Sequence, residues 1–247
     1  MRGLNTLSAA ALVVAIVPAM AQAQVPVEVV HGIVPADVVP GAHSLPVDIS
    51  VNGDCVIEEL DFGQTLATEL EPGSYEVLIF LDHGGSCDGT FVAGSSINIQ
   101  NLSNNLVVAH LDENGTPDIS AFTRTIGFAA EDGAVVLNAY HGAVAPPVDV
   151  KVKSEGRYAT AASFLSNGGQ SFPAEIGAGD ATVRLTPAGK RSTVFEQDAT
   201  FEDGFAYAAI AVGSLPNETL QLIVLAEELI EADDSGEDEN DAGGETE

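Results

Sequence analysis

Tryptophan is absent, and there are only 2 Cys, 2 Met and 4 Tyr. So few rings argue against an aromatic platform of the kind that stacks on sugars. Lys and Arg together number 8 against 37 Asp and Glu, a net charge of −29. An excess of that size repels phosphate at every contact and excludes nucleic acid as a partner. Away from the N-terminus no apolar run reaches the ~18 residues that a membrane-crossing helix needs. No H-E-x-x-H or H-x-x-x-H spacing and no G-x-S-x-G is found. Gly84-Gly85 and Gly168-Gly169 lack the Gly, Lys and helix that would make a phosphate loop. These absences exclude the commonest metal, nucleophile and nucleotide sites.

What is present is enough apolar content, 45%, for a real core, which excludes wholesale disorder. Arg2, the apolar run 7–19 and the small residues Ala19, Ala21 and Ala23 read as a cleaved signal peptide over residues 1–23. The mature chain is therefore expected in the periplasm or outside the cell. Residues 24–123 contain 15 acids and no base, and 227–247 contain 11 acids and no base. The stretch 229–247 has too little apolar surface to offset its ordering entropy and is expected to be a disordered acidic tail.

One unit occurs twice. Val30-His31-Gly32 is followed by Pro46-Val47-Asp48-Ile49, and Tyr140-His141-Gly142 by Pro147-Val148-Asp149-Val150. Glu71-Pro72-Gly73 and Gly177-Ala178-Gly179 then each open a strand, and each half closes on an apolar strand, 106–111 and 206–212. Within the units the period is two: Val47, Ile49 and Val51 on one face, Asp48, Ser50 and Asn52 on the other. Asn52-Gly53 is a hairpin signal, because a type I′ turn needs positive φ at both central residues. Residues 220–230 read as a final strand passing into the tail. The expected fold is all-β: two tandem immunoglobulin-like or transthyretin-like β-sandwiches, over 24–123 and 124–228. Their join is placed near 114–133, where Asn-Gly, Thr-Pro and Asp-Gly cluster.

Cys55 and Cys87, the only cysteines, are expected to form a structural disulfide in an oxidising compartment. Acidic neighbours such as Asp54 and Asp88 disfavour a reactive thiolate there. Among the histidines only His43 and His83 sit in loops free to converge on a metal, so no metal site is expected from histidine. The repeated pairs His31–Asp48 and His141–Asp149 suggest one imidazole–carboxylate bond made twice, stitching two strands or, alternatively, forming the general-base pair of a hydrolase. Asp112, Asn114 and Asp118 are calcium candidates, but their spacing fails as an EF-hand and equally makes a turn. No cofactor is implied.

The series V-V-H-G (29–32), L-P-V-D-I-S-V-N-G (45–53), F-G (62–63), E-P-G-S-Y-E-V (71–77) and L-V-V-A-H-L (106–111) resembles the exported bacterial family called domain of unknown function 4397. The likeness spans most of 27–113 and recurs more faintly over 134–225, anchored by P-P-V-D-V-K-V (146–152). It implies an all-β exported module and carries no activity or catalytic residues. The expectation is a non-catalytic tandem β-sandwich that binds or adheres at the envelope or outside the cell. Its partner would be a protein, a glycan or an envelope component; a hydrolase or a calcium-stabilised structural protein is the alternative.

Overall fold

The computed structural model describes residues 23–82, 84–101, 104–124, 133–154 and 156–229. The expected signal peptide (residues 1–22 of it), His83, and residues 230–247 of the expected tail lie outside this set. Nearly all described elements are strands. The first half holds β1 (Val25–His31), β2 (Val47–Val51), β3 (Asp54–Leu60), β4 (Thr65–Leu70), β5 (Gly73–Leu81), β6 (Phe91–Ile99), β7 (Asn104–Leu111) and β8 (Pro117–Arg124). The second holds β9 (Ala134–Val144), β10 (Val148–Ser154), β11 (Arg157–Leu165), β12 (Gly169–Gln170), β13 (Ala174–Gly177), β14 (Gly179–Pro187), β15 (Phe195–Phe201), β16 (Phe205–Ser214) and β17 (Gln221–Glu228).

Every strand pairs within its own half. The first half forms an outer sheet, β3-β2-β5-β6, and an inner sheet, β4-β1-β7-β8. The second repeats this as β11-β10-β14-β15 and β12-β9-β16-β17, with β13 also on β9. The repeat extends to register. β1 runs parallel to β7 with His31 opposite Ala109, and β9 parallel to β16 with His141 opposite Ala211. Asn52 and Gly53, at φ 52° and 89°, close the β2–β3 hairpin as their sequence requires.

Three cores follow from the alternation. Val27, Val29, Val107 and Ala109 meet Val47, Ile49, Val77 and Ile79 inside the first sandwich. Leu137, Ala139, Tyr207 and Ala209 meet Val148, Val150, Val183 and Leu185 inside the second. The opposite faces of the two inner sheets bury each other: Val30, Leu106, Val108 and Phe122 against Tyr140, Ala208, Ile210 and Val212. The molecule is thus a stack of four sheets with the inner pair in the middle. That is why β7 and β16 read as continuous apolar runs instead of alternating, since both of their faces are covered.

The turn signals between 114 and 133 do not all serve the join. Asn114-Gly115 closes the β7–β8 hairpin, and β8 completes the first inner sheet, so the crossing between halves comes after Arg124. A turn signal does not distinguish a hairpin from a linker.

Candidate functional site

The two His-Gly sites are built alike. His31 ends β1, His141 lies three residues before the end of β9, and both imidazoles are fully buried. Nδ1 of His31 accepts the Ile33 N–H (3.3 Å), and Nε2–H donates to the Leu45 carbonyl (3.0 Å). Nδ1 of His141 accepts the Ala143 N–H (3.1 Å), and Nε2–H donates to the Pro146 carbonyl (3.4 Å). The acceptors precede β2 and β10, so each ring ties the end of an inner strand to the entry of an outer one. Burial lowers the pKa of both rings, and the carbonyl contacts only partly oppose it. The rings are neutral and have one fixed tautomer.

Asp48 and Asp149 are also equivalent, but they do not pair with these histidines. Asp48 accepts the N–H of Glu59 at Oδ1 (3.1 Å) and of Cys87 at Oδ2 (3.3 Å). Asp149 accepts the N–H of Phe164 at Oδ1 (3.1 Å) and of Gly189 at Oδ2 (3.1 Å). Glu59 and Phe164 are left-handed bulge residues, φ 55° and 53°, so each carboxylate holds a bulged edge strand against the loop after β5 or β14. The expected His31–Asp48 and His141–Asp149 bonds fail for a simple reason. The alternation that turns Val47 and Ile49 inward turns Asp48 to the other face of its sheet, away from His31. In each copy both ring nitrogens and both carboxylate oxygens are thus engaged by backbone.

Cys55 and Cys87 form a disulfide, Cα–Cα 5.6 Å. It clamps β3 to the same β5–β6 loop that donates to Asp48. Asp112 Oδ1 accepts the N–H groups of Asn114 (2.8 Å) and Thr116 (2.7 Å), and these bonds, Thr116 foremost, lower its pKa. Asp118 caps its own neighbour, Ile119 N–H (2.8 Å). These calcium candidates therefore build a turn, and no cluster of three or more His, Cys, Asp or Glu able to hold a metal occurs among the described residues. His43 is exposed in the loop before β2.

Two features escaped the sequence reading. The first is a polar seam around the inter-sheet core. The Arg124 side chain, 3% exposed, pairs with Glu28 of its own sheet and with Glu227 of the other half (Nη2–Oε2 2.6 Å). Asn167 Nδ2 donates to both Leu111 O and Ala143 O (2.8 Å each), and Thr219 Oγ1 donates to Asp37 (2.7 Å). The second is a cavity of about 300 Å³ inside the first sandwich, lined mainly by aliphatic side chains. On one side that sandwich is closed by contact between β6 and β8. On the other, β3 and β4 diverge, and Val56 and Leu66, 52% and 39% exposed, line the cavity where it reaches the surface. In the second sandwich β13 packs on β11 at the equivalent edge. Elsewhere in that sandwich Phe201 and Tyr207 meet edge to face with ring centroids 4.9 Å apart, where the register of the first unit puts Ile99 and Asn105.

These observations define an all-β protein of two sandwiches whose repeated His and Asp side chains bond to backbone, with an apolar cavity in the first. No family profile and no curated protein matches the chain. Among solved structures it is similar over 77% of its length to the Bacillus anthracis TIE protein, at 11% identity and a TM-score of 0.24. It is also similar over 85% of its length to a protein of Bacteroides fragilis NCTC 9343 titled "putative cell adhesion protein", at 11% identity and a TM-score of 0.27. The chain spans 33% of the former and 99% of the latter. The fold assignment rests on the strand pairing above, not on these likenesses. Among the described residues no helix is long and apolar enough to cross a membrane.

Proposed function

We propose that the chain is an exported, non-catalytic binding module that acts at the cell envelope or outside the cell on a protein, glycan or other envelope partner. The observation that carries this reading is the use of the two His-Gly sites. Catalysis by an imidazole needs a nitrogen free to meet substrate, and in both copies Nδ1 and Nε2 are engaged by backbone inside a core. The same bonds made twice mark an architectural device. Export is supported by the leader-like N-terminus and by the disulfide, which persists in oxidising compartments. The likeness of 27–113 to domain of unknown function 4397 belongs to the same proposal.

The test is thermal unfolding of the mature chain against a panel of glycans, cell-wall fragments, calcium and chelator, followed by pull-down from envelope extract. A shift of several degrees with one chemical class supports the reading. Calcium and chelator are expected to leave the midpoint unmoved, because the Asp112 carboxylate already serves its own loop. Ester or glycoside turnover that His31→Asn abolishes with the melting temperature unchanged overturns the proposal in favour of a hydrolase.

A further inference from the structure

The cavity of the first sandwich has the properties of a ligand site. Its walls are the inward faces of β1, β2, β5 and β7, chiefly Val27, Val29, Ile49, Val77 and Val107. An apolar cavity of this kind holds no stable water and gains from an apolar guest. Its volume, about 300 Å³, lies at the lower end of the range for small-molecule sites. Since ~150 Å³ accommodates the six carbons of benzene, the space suits an aliphatic chain of about ten carbons. The rim is amphipathic: Val56 and Leu66 beside Asn52, Asp54 and Thr68. In the twin sandwich β13 packs on β11 at the equivalent edge.

Charge narrows the guest. Residues 24–123 contain no Lys or Arg, none of the cavity-lining residues is a histidine, and Arg124 is buried in the ion pairs with Glu28 and Glu227. Nothing at the mouth can neutralise a carboxylate, sulfate or phosphate head, and Asp54 repels one.

We infer that the first sandwich binds one molecule of a neutral or cationic amphiphile, its chain in the cavity between β3 and β4 and its head at the Asn52–Asp54 rim. This rests on the binding-module reading and names its ligand class. β4 gives the test its control. Leu66 and Thr68 lie opposite Val29 and Val27 and share their inward face, whereas Ala67, opposite Glu28, faces away.

The experiment is calorimetric titration of the oxidised mature chain with decanol below its solubility limit and with decyltrimethylammonium and decanoate below their micellar concentrations. One-to-one binding of the first two is expected, with decanoate at least tenfold weaker. Thr68→Trp should weaken binding of the first two at least tenfold, and Ala67→Trp should leave it unchanged. The chain has no other tryptophan, so the fluorescence of both variants reports their folding. If Thr68→Trp does not fold, Leu66→Lys at the exposed rim should impose the same loss on decanol. The inference is overturned if neither decanol nor decyltrimethylammonium saturates at one per chain, if decanoate binds equally, or if the inward substitution has no effect. Binding of an extended apolar peptide in place of the amphiphiles overturns it in favour of strand addition. If the amphiphiles fail while a glycan or cell-wall fragment still shifts unfolding, the binding-module reading stands and only this ligand assignment falls.

Discussion

Gly142 lies so close to His110 that a Cβ placed on it would sit 2.7 Å from the histidine Cβ. The twin contact is Gly32 against Val212, where the added Cβ would lie 2.8 Å from Cγ1. The register makes these equivalent, since His110 follows Ala109 as Val212 follows Ala211. The glycine of each His-Gly pair therefore admits the inner strand of the other sandwich.

Gly142→Ala must push the two inner sheets apart or displace His110, whose ring is held by Leu111 O (2.9 Å) and Ser120 Oγ (2.8 Å). Overpacking of this sort costs about 1–3 kcal/mol. At roughly 2–4 °C per kcal/mol for a domain of this size, calorimetry should show the midpoint lower by several degrees. An unchanged midpoint would show that the inner sheets do not meet as described.

Arg124 is the only base among residues 24–124. Arg124→Met leaves Glu28 without its cation beside an apolar core. Removing one partner of a buried pair costs about 3–5 kcal/mol, and the lower end applies because Glu227 is 37% exposed. The companion variant Glu28→Gln should recover part of that loss in the Met background. Equilibrium denaturation of the four chains gives the coupling directly, and a value near zero would contradict the ion pair.

The Cys55–Cys87 bridge closes a sequence separation of 32. A loop of that length stabilises by about 3.5–4 kcal/mol in the chain-entropy account. Replacing both cysteines by serine should lower the denaturation midpoint accordingly, whereas dithiothreitol should have no effect on the variant. The loss should centre on the first sandwich, where hydrogen exchange at β3 and the β5–β6 loop ought to quicken most.

The histidines set a pH dependence. His31 and His141 have folded pKa values lowered from 6.5 by burial, so the unfolded chain binds protons that the folded chain does not. Stability is present above about 6.5 and is lost as pH falls through that value towards the folded pKa values. Acidification also relieves the net charge of −29, which acts in the opposite sense, so the measurement belongs at about 1 M salt, where screening acts within ~3 Å. There the midpoint should fall between pH 7.5 and 5.5. A double substitution of both histidines by asparagine should flatten the slope and lower the midpoint at pH 7.5.

Much of this architecture can be read from residue order. Alternation identified β2, β5 and β10, Asn52-Gly53 identified a hairpin, and the His-Gly…Pro-Val-Asp repeat identified two equivalent units, because each of these is a local rule of backbone and side-chain direction. Composition argued against nucleic acid, and two cysteines behind a leader-like N-terminus suggested the disulfide that is seen. The partner of each side chain was a different matter. His31 and Asp48 are close in the motif, yet they stand on different sheets and turn to different faces, so sequence proximity suggested a bond that geometry forbids. Asp112 read as a turn-former before a calcium ligand, and its N–H partners show the turn.

Two things were decided only by the tertiary structure. One is that the halves share a core, since the outward residues of β7 and β16 look in sequence like those of any buried strand, and only packing shows that the second face covers the other sandwich. The second is the apolar cavity of the first sandwich, at an edge where β13 packs on β11 in the twin. That feature depends on how edge strands meet, and such complementarity belongs to surfaces that meet in space, not to neighbours along the chain.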